Sequence, residues 1–149
     1  MKIKLGEPWA GWSEIYLKDN NGKEFAGALS YIDSVPLMFL NAAINYKNGE
    51  DVVLNFDEEG TSFIMVLCHY EDLYIISLRG ENPELITLDI SPDEFFRKVV
   101  LEIEGNLRNW AEWDVFGDSE EEIRKEADEN ERTLQEKIRL FKKSPLVIK

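Results

Sequence analysis

Apolar and polar positions alternate along much of this chain, and the places where the period changes mark out its elements. Residues Trp12 to Lys18 alternate with period two, as a strand with one buried face does. Asn20-Asn21-Gly22 then supplies a tight turn, because Asn and Gly tolerate positive φ, and Glu24 to Ser30 returns as the second strand of a hairpin. Lys2 to Leu5 adds a short strand before Pro8. At Val35 to Lys47 the period lengthens: Leu37, Leu40 and Ile44 fall on one helical stripe. Ser34 and Pro36 read as its start signal, and Asn48-Gly49 as its stop.

Period two resumes at Asp51 to Phe56, and Ser62 to Tyr70, Leu73 to Leu78 and Glu84 to Ile90 follow as further strands. The connections are short, which implies antiparallel pairing. Ser91-Pro92-Asp93-Glu94 is a capping box with proline at the first helical position. Behind it Phe95, Val99, Ile103, Leu107 and Trp110 keep helical spacing. Ser119-Glu120-Glu121-Glu122 repeats the capping pattern, and the final helix carries a thinner apolar stripe. The expected fold is therefore α+β: a mostly antiparallel sheet of 5–7 strands, one helix inserted after the first hairpin, and two C-terminal helices. One globular domain over residues 1–149 is expected, with residues 118–143 forming a more exposed C-terminal helix.

Charge changes the functional picture. The chain has 30 Asp plus Glu against 17 Lys plus Arg, for a formal net charge of -13. Nucleic-acid binding depends on neutralising phosphates with Lys and Arg, so this balance argues against it. Anionic membranes are disfavoured on the same ground. A basic protein partner is favoured, because a negative field speeds its encounter. No apolar stretch has signal-peptide or membrane-span length, so the chain reads as cytoplasmic.

Reactive groups are sparse. The lone histidine, His69, and lone cysteine, Cys68, are neighbours, and on a strand they would face opposite sides. Cys68 is expected to be a small core residue and His69 to sit on the surface or at a sheet edge. One Cys and one His cannot build a structural zinc site, no nucleotide-binding glycine motif occurs, and no cofactor or metal is expected. The acidic turn Asp57-Glu58-Glu59-Gly60 is too short for a calcium loop. A catalytic carboxylate pair would be distant in sequence, and nothing singles one out.

The stretch Trp110 to Phe116 mixes large aromatics with carboxylates, the residue types that anchor interfaces and attract cations. Glu112, Trp113, Asp114 and Phe116, with Asp57, Glu58 and Glu59, are the candidate partner-binding residues. Trp9 and Trp12 are candidates for the same cluster.

Trp12-Ser13-Glu14-Ile15, Ser30-Tyr31, Asn55-Phe56-Asp57-Glu58-Glu59-Gly60 and Ser91-Pro92-Asp93-Glu94-Phe95-Phe96, in that order, are similar to a group of small acidic bacterial proteins found beside polymorphic toxins and regarded as their immunity partners. The resemblance implies a cytoplasmic, single-domain binder that blocks a toxin's active site; it implies no particular contact residue. The expected function is thus non-enzymatic protein binding, with a basic partner such as a toxin domain. A small-molecule-binding or enzymatic domain with an unfamiliar carboxylate site is the alternative, and a structural or assembly subunit is another. Oligomeric state is left open.

Overall fold

The computed structural model describes residues 1–143, so residues 144–149 of the expected domain lie outside the described residues. The chain is α+β, with two separate antiparallel sheets. Strands β1 (Lys2–Leu5), β2 (Trp12–Lys18) and β3 (Glu24–Ser30) form the first, in the order β1-β2-β3. Helix α1 (Val35–Lys47) follows. Strands β4 (Val52–Asp57), β5 (Ser62–Leu67), β6 (Leu73–Ser77) and β7 (Glu84–Leu88) form the second sheet as a meander. Helices α2 (Pro92–Gly105), α3 (Leu107–Glu112) and α4 (Glu120–Lys143) complete the described chain.

The expected single sheet of 5–7 strands is therefore two sheets, of three and four strands. Backbone chemistry at β3 explains the split. Its second edge is taken by side chains instead of by a strand: the Ala28 amide donates to Glu58 Oε2 at 3.0 Å, and Arg79 Nη2 donates to the Ala26 carbonyl at 2.7 Å. With these groups satisfied, β3 offers less of the unpaired edge that invites another strand. The sheets meet through side chains. Phe25 on β3 packs edge-on against Phe63 on β5 at 5.1 Å. Gly27 lets the backbones approach, since a Cβ there would stand 2.5 Å from the Phe63 ring.

Val52, Leu54 and Phe56, alternate positions along β4, are buried together. Ile15, Leu17, Phe25 and Leu29 of the first sheet are buried, as are Leu54, Phe56, Phe63, Met65 and Leu67 of the second. Phe39 of α1 packs on Phe56 and Phe95, tying α1 to β4 and α2 within one apolar cluster. The hairpin loop is held by Asp19, whose carboxylate accepts from the amides of Asn21, Lys23 and Asp89.

Several boundaries differ from expectation. The β5 strand ends at Leu67, because Cys68–Tyr70 turns away and Tyr70 takes φ 67°. Consequently Cys68 is half-buried and no part of the core. The helix expected to run from Ser91 through Trp110 breaks at Gly105-Asn106, making three helices after the strands instead of two. Asn106 leaves helical geometry (φ -129°) and its carbonyl accepts from the Trp110 amide to start α3. Ser91 and Ser119 do cap their helices, each accepting at 3.2 Å from Glu94 and Glu122. Ser34 makes no such bond. Four residues of α4 are buried, Ala127, Leu134, Ile138 and Phe141, in line with a thin stripe and a largely exposed helix.

Candidate protein-binding site

Two candidate regions come from the sequence, and the structure treats them differently. The first centres on a two-residue turn. Trp9 and Trp12 exchange both backbone hydrogen bonds, at 2.9 and 3.0 Å, across Ala10 (φ 51°) and Gly11 (φ 82°). Positive φ at both central positions is the geometry of a type I′ hairpin turn. Gly11 is needed twice over: for its φ, and because a Cβ would stand 2.9 Å from Tyr31 and 3.3 Å from Phe116. The Gly11 carbonyl accepts from the Tyr31 amide at 2.8 Å, and the Tyr31 and Phe116 rings meet edge-on at 5.3 Å.

This arrangement leaves four aromatics facing water around one glycine. Trp9 is 80% exposed and Phe116 64%, with Trp12 and Tyr31 at nearly half; Ile32 extends the surface. Single exposed apolar residues are ordinary; here Tyr31 and Phe116 are exposed while touching each other and the Gly11 turn that Trp9 and Trp12 flank. Of the neighbouring candidates, Trp113 is turned inward against Trp110 and is buried, so it cannot touch a partner. Its indole N–H has no hydrogen-bond partner among the described residues. Glu112 is engaged by Arg108 at 2.8 Å, and the same guanidinium reaches Asp128. Asp114 is half-buried, its carboxyl held above the usual range by burial and by Glu126. Among the described residues no ion pair reaches it.

The second region is the β4–β5 turn, and here the candidates serve the fold. Arg79 grips Glu58 through two bonds, Nε to Oε1 at 2.9 Å and Nη2 to Oε2 at 2.6 Å, while lying over the Phe25 ring. The Glu58 side chain, 7% exposed, also accepts from Ala28 and Thr61. Burial pushes its carboxyl up, but Arg79 and these donors pull harder, so its pKa is lowered. Glu59 accepts from the Ser30 hydroxyl at 2.7 Å. Asp57 is exposed, and its carboxylate accepts from the Glu59 amide. Asp33 holds the Asp57 amide in turn, and burial raises the Asp33 pKa.

His69 stacks on Tyr46 at 3.9 Å, and its Nε2 donates to the Tyr46 carbonyl at 3.0 Å. Burial, with Asp51 and Glu71, raises the Cys68 thiol, the reverse of an activated thiolate. Among the described residues no group of three His, Cys, Asp or Glu is placed to hold a metal, and no helix is long and apolar enough to cross a membrane. Tyr31 and Ile32 were missed by sequence reasoning. The Trp-Ala-Gly-Trp spacing was the available signal, because a left-handed-tolerant glycine between two aromatics fits a two-residue hairpin turn.

The class defined so far is an α+β chain with an exposed aromatic surface. Comparison with known proteins returns no significant match, whether to family models, curated proteins or solved structures.

Proposed function

We propose that this chain is a non-enzymatic binder of a basic protein, acting in the cytoplasm in the manner of an immunity protein that blocks a toxin domain. The observation that carries the reading is the cluster of Trp9, Trp12, Tyr31 and Phe116, exposed together and held by a rigid turn. Aromatics restrained in this way lose little entropy on binding, and Trp and Tyr dominate interface energetics. The acidic residues that follow, Asp118 and Glu120 to Glu122, place negative charge beside the cluster in sequence and favour a cationic partner over nucleic acid or an anionic membrane.

The test is association with the protein encoded beside it, followed by surface plasmon resonance. Trp9→Ala and Phe116→Ala should each weaken binding by about 2 kcal/mol, roughly thirtyfold. The on-rate should fall steeply as salt rises. An acidic partner, or binding indifferent to both substitutions, overturns the reading.

A further inference from the structure

The first turn of α1, α3 and α4 enclose a cleft of about 120 Å³, lined by Ser34, Leu37, Trp110, Asp114, Asn130 and Thr133 among others. Two of its lining residues are close in sequence to the exposed aromatics: Ser34 lies three residues beyond Tyr31 and Asp114 two before Phe116. The cleft has room for a group of several atoms instead of a single water. Asp114 is the one charged side chain in this lining. Asn130 spends one Nδ2 hydrogen on the Ala111 carbonyl at 3.0 Å, which leaves its Oδ1 as acceptor and its second amide hydrogen as donor. Thr133 donates its hydroxyl to the Glu129 carbonyl at 3.1 Å, which leaves oxygen lone pairs. Among the described residues no ion pair reaches the Asp114 carboxylate, whose hydrogen-bond partner is its own backbone amide. Its negative charge therefore stands without a cation in a cleft whose other polar groups are neutral, among them the Ser34 hydroxyl, which makes no cap bond to α1. Leu37 and Leu134 supply apolar wall for methylenes.

The start of α1 opposes a cation, with a positive end of about half a charge. A full negative charge on Asp114 outweighs it, Glu126 adds to that charge, and Pro36 removes one of the first-turn amides. The geometry points to a receptor for the cationic head of a lysine or arginine side chain offered by the partner protein. This inference rests on the protein-binding reading above, and it assigns the Asp114 cleft a specific occupant.

The test uses the full chain, labelled for NMR and titrated with n-butylammonium chloride, n-butylguanidinium chloride and, as a neutral alkyl control, n-pentanol. Either cation should shift the Trp110 indole and Asn130 side-chain signals, with Kd on the order of 10 mM for so small a fragment. The stronger of the two identifies ammonium or guanidinium as the preferred head. Pentanol should leave these signals unmoved, and Asp114→Asn should weaken the cation at least about tenfold while the remaining spectrum shows an unchanged fold. Silence with both cations, or equal binding by pentanol or by Asp114→Asn, overturns the inference. The two readings separate cleanly. If Trp9→Ala weakens the protein partner but Asp114→Asn does not, the surface stands and the cleft falls. If the fragment still binds while the partner ignores Trp9→Ala, the surface falls and the cleft remains as a cation site.

Discussion

The turn around Gly11 and the turn at Asp57–Gly60 look interchangeable as text: each sets glycine beside aromatic or acidic residues. In space they are opposites. At the β4–β5 turn, Glu58 is met by Arg79, Ala28 and Thr61, and Glu59 by Ser30, so the acidic groups close the edge of β3 and join two sheets. Around Gly11, Tyr31 and Phe116 meet edge-on and then stop at solvent, with 80% of Trp9 exposed. The difference teaches that a surplus of carboxylates does not identify a docking face. What identifies one is the residue whose interactions the fold has not already used.

Substitution should separate the two regions most sharply at Arg79. Removing it leaves Glu58 nearly buried without its cation, which breaks a largely buried pair. Because Arg79 itself is 37% exposed and water screens it, the expected loss is at the low end, about 2–3 kcal/mol. Trp9→Ala should change stability by no more than about 0.5 kcal/mol, the range of surface substitutions. Urea denaturation of both variants measures the contrast, and a Trp9→Ala loss as large as that of Arg79→Ala would collapse it. Gly27→Ala comes next. Its Cβ would meet the Phe63 ring, itself pinned between Phe25 and Phe56, at an expected cost of about 2 kcal/mol from overpacking. An unchanged urea midpoint would show that the sheets can slide apart freely.

Acid should unfasten the same junction. Glu58 and Asp19 both have pKa values lowered in the folded state. For Glu58, Arg79 and the donors outweigh burial; for Asp19 the Asp89 amide is the largest influence. A depressed carboxylate contributes stability above its unfolded pKa, near 4, and loses it as pH falls through the folded value. Stability measured from pH 7 downward should therefore drop as these groups protonate, and Glu58→Gln should flatten part of that drop while lying lower at neutral pH. A variant curve parallel to the wild type would mean Glu58 is not held by charge.

Much of this architecture is legible in the order of residues. Alternation and turn signals together located all seven strands, the Ser91 and Ser119 boxes located α2 and α4, and Asn48-Gly49 ended α1. What was not legible depends on partners distant in sequence. Alternation tells which face of β3 is buried, but not that Arg79, 53 positions from Ala26, would occupy its edge. Helical spacing runs unbroken past Gly105-Asn106, so the break shows only in the backbone. Trp113 and Phe116 are equally promising as sequence, yet one turns against Trp110 and the other against Tyr31 at the surface. The candidate site was half visible: Phe116, Asp114, Trp9 and Trp12 were named, and the turn that gathers the aromatics was not.

The smallest expected effect concerns Asp114, and its sign is informative. Burial raises its folded pKa, and Glu126 adds to that. A raised carboxyl contributes stability only at low pH, and this is lost as pH rises through its folded value. At neutral pH the ionised group is therefore a mild liability, and Asp114→Asn should leave stability unchanged or raise it by a few tenths of a kcal/mol. If the cleft receives a cation as proposed, a bound cation would offset that cost. Thermal melts at pH 7 decide the sign: a clear loss of stability in Asp114→Asn would show that the carboxylate serves the fold, and would move it to the side of Glu58 in the comparison.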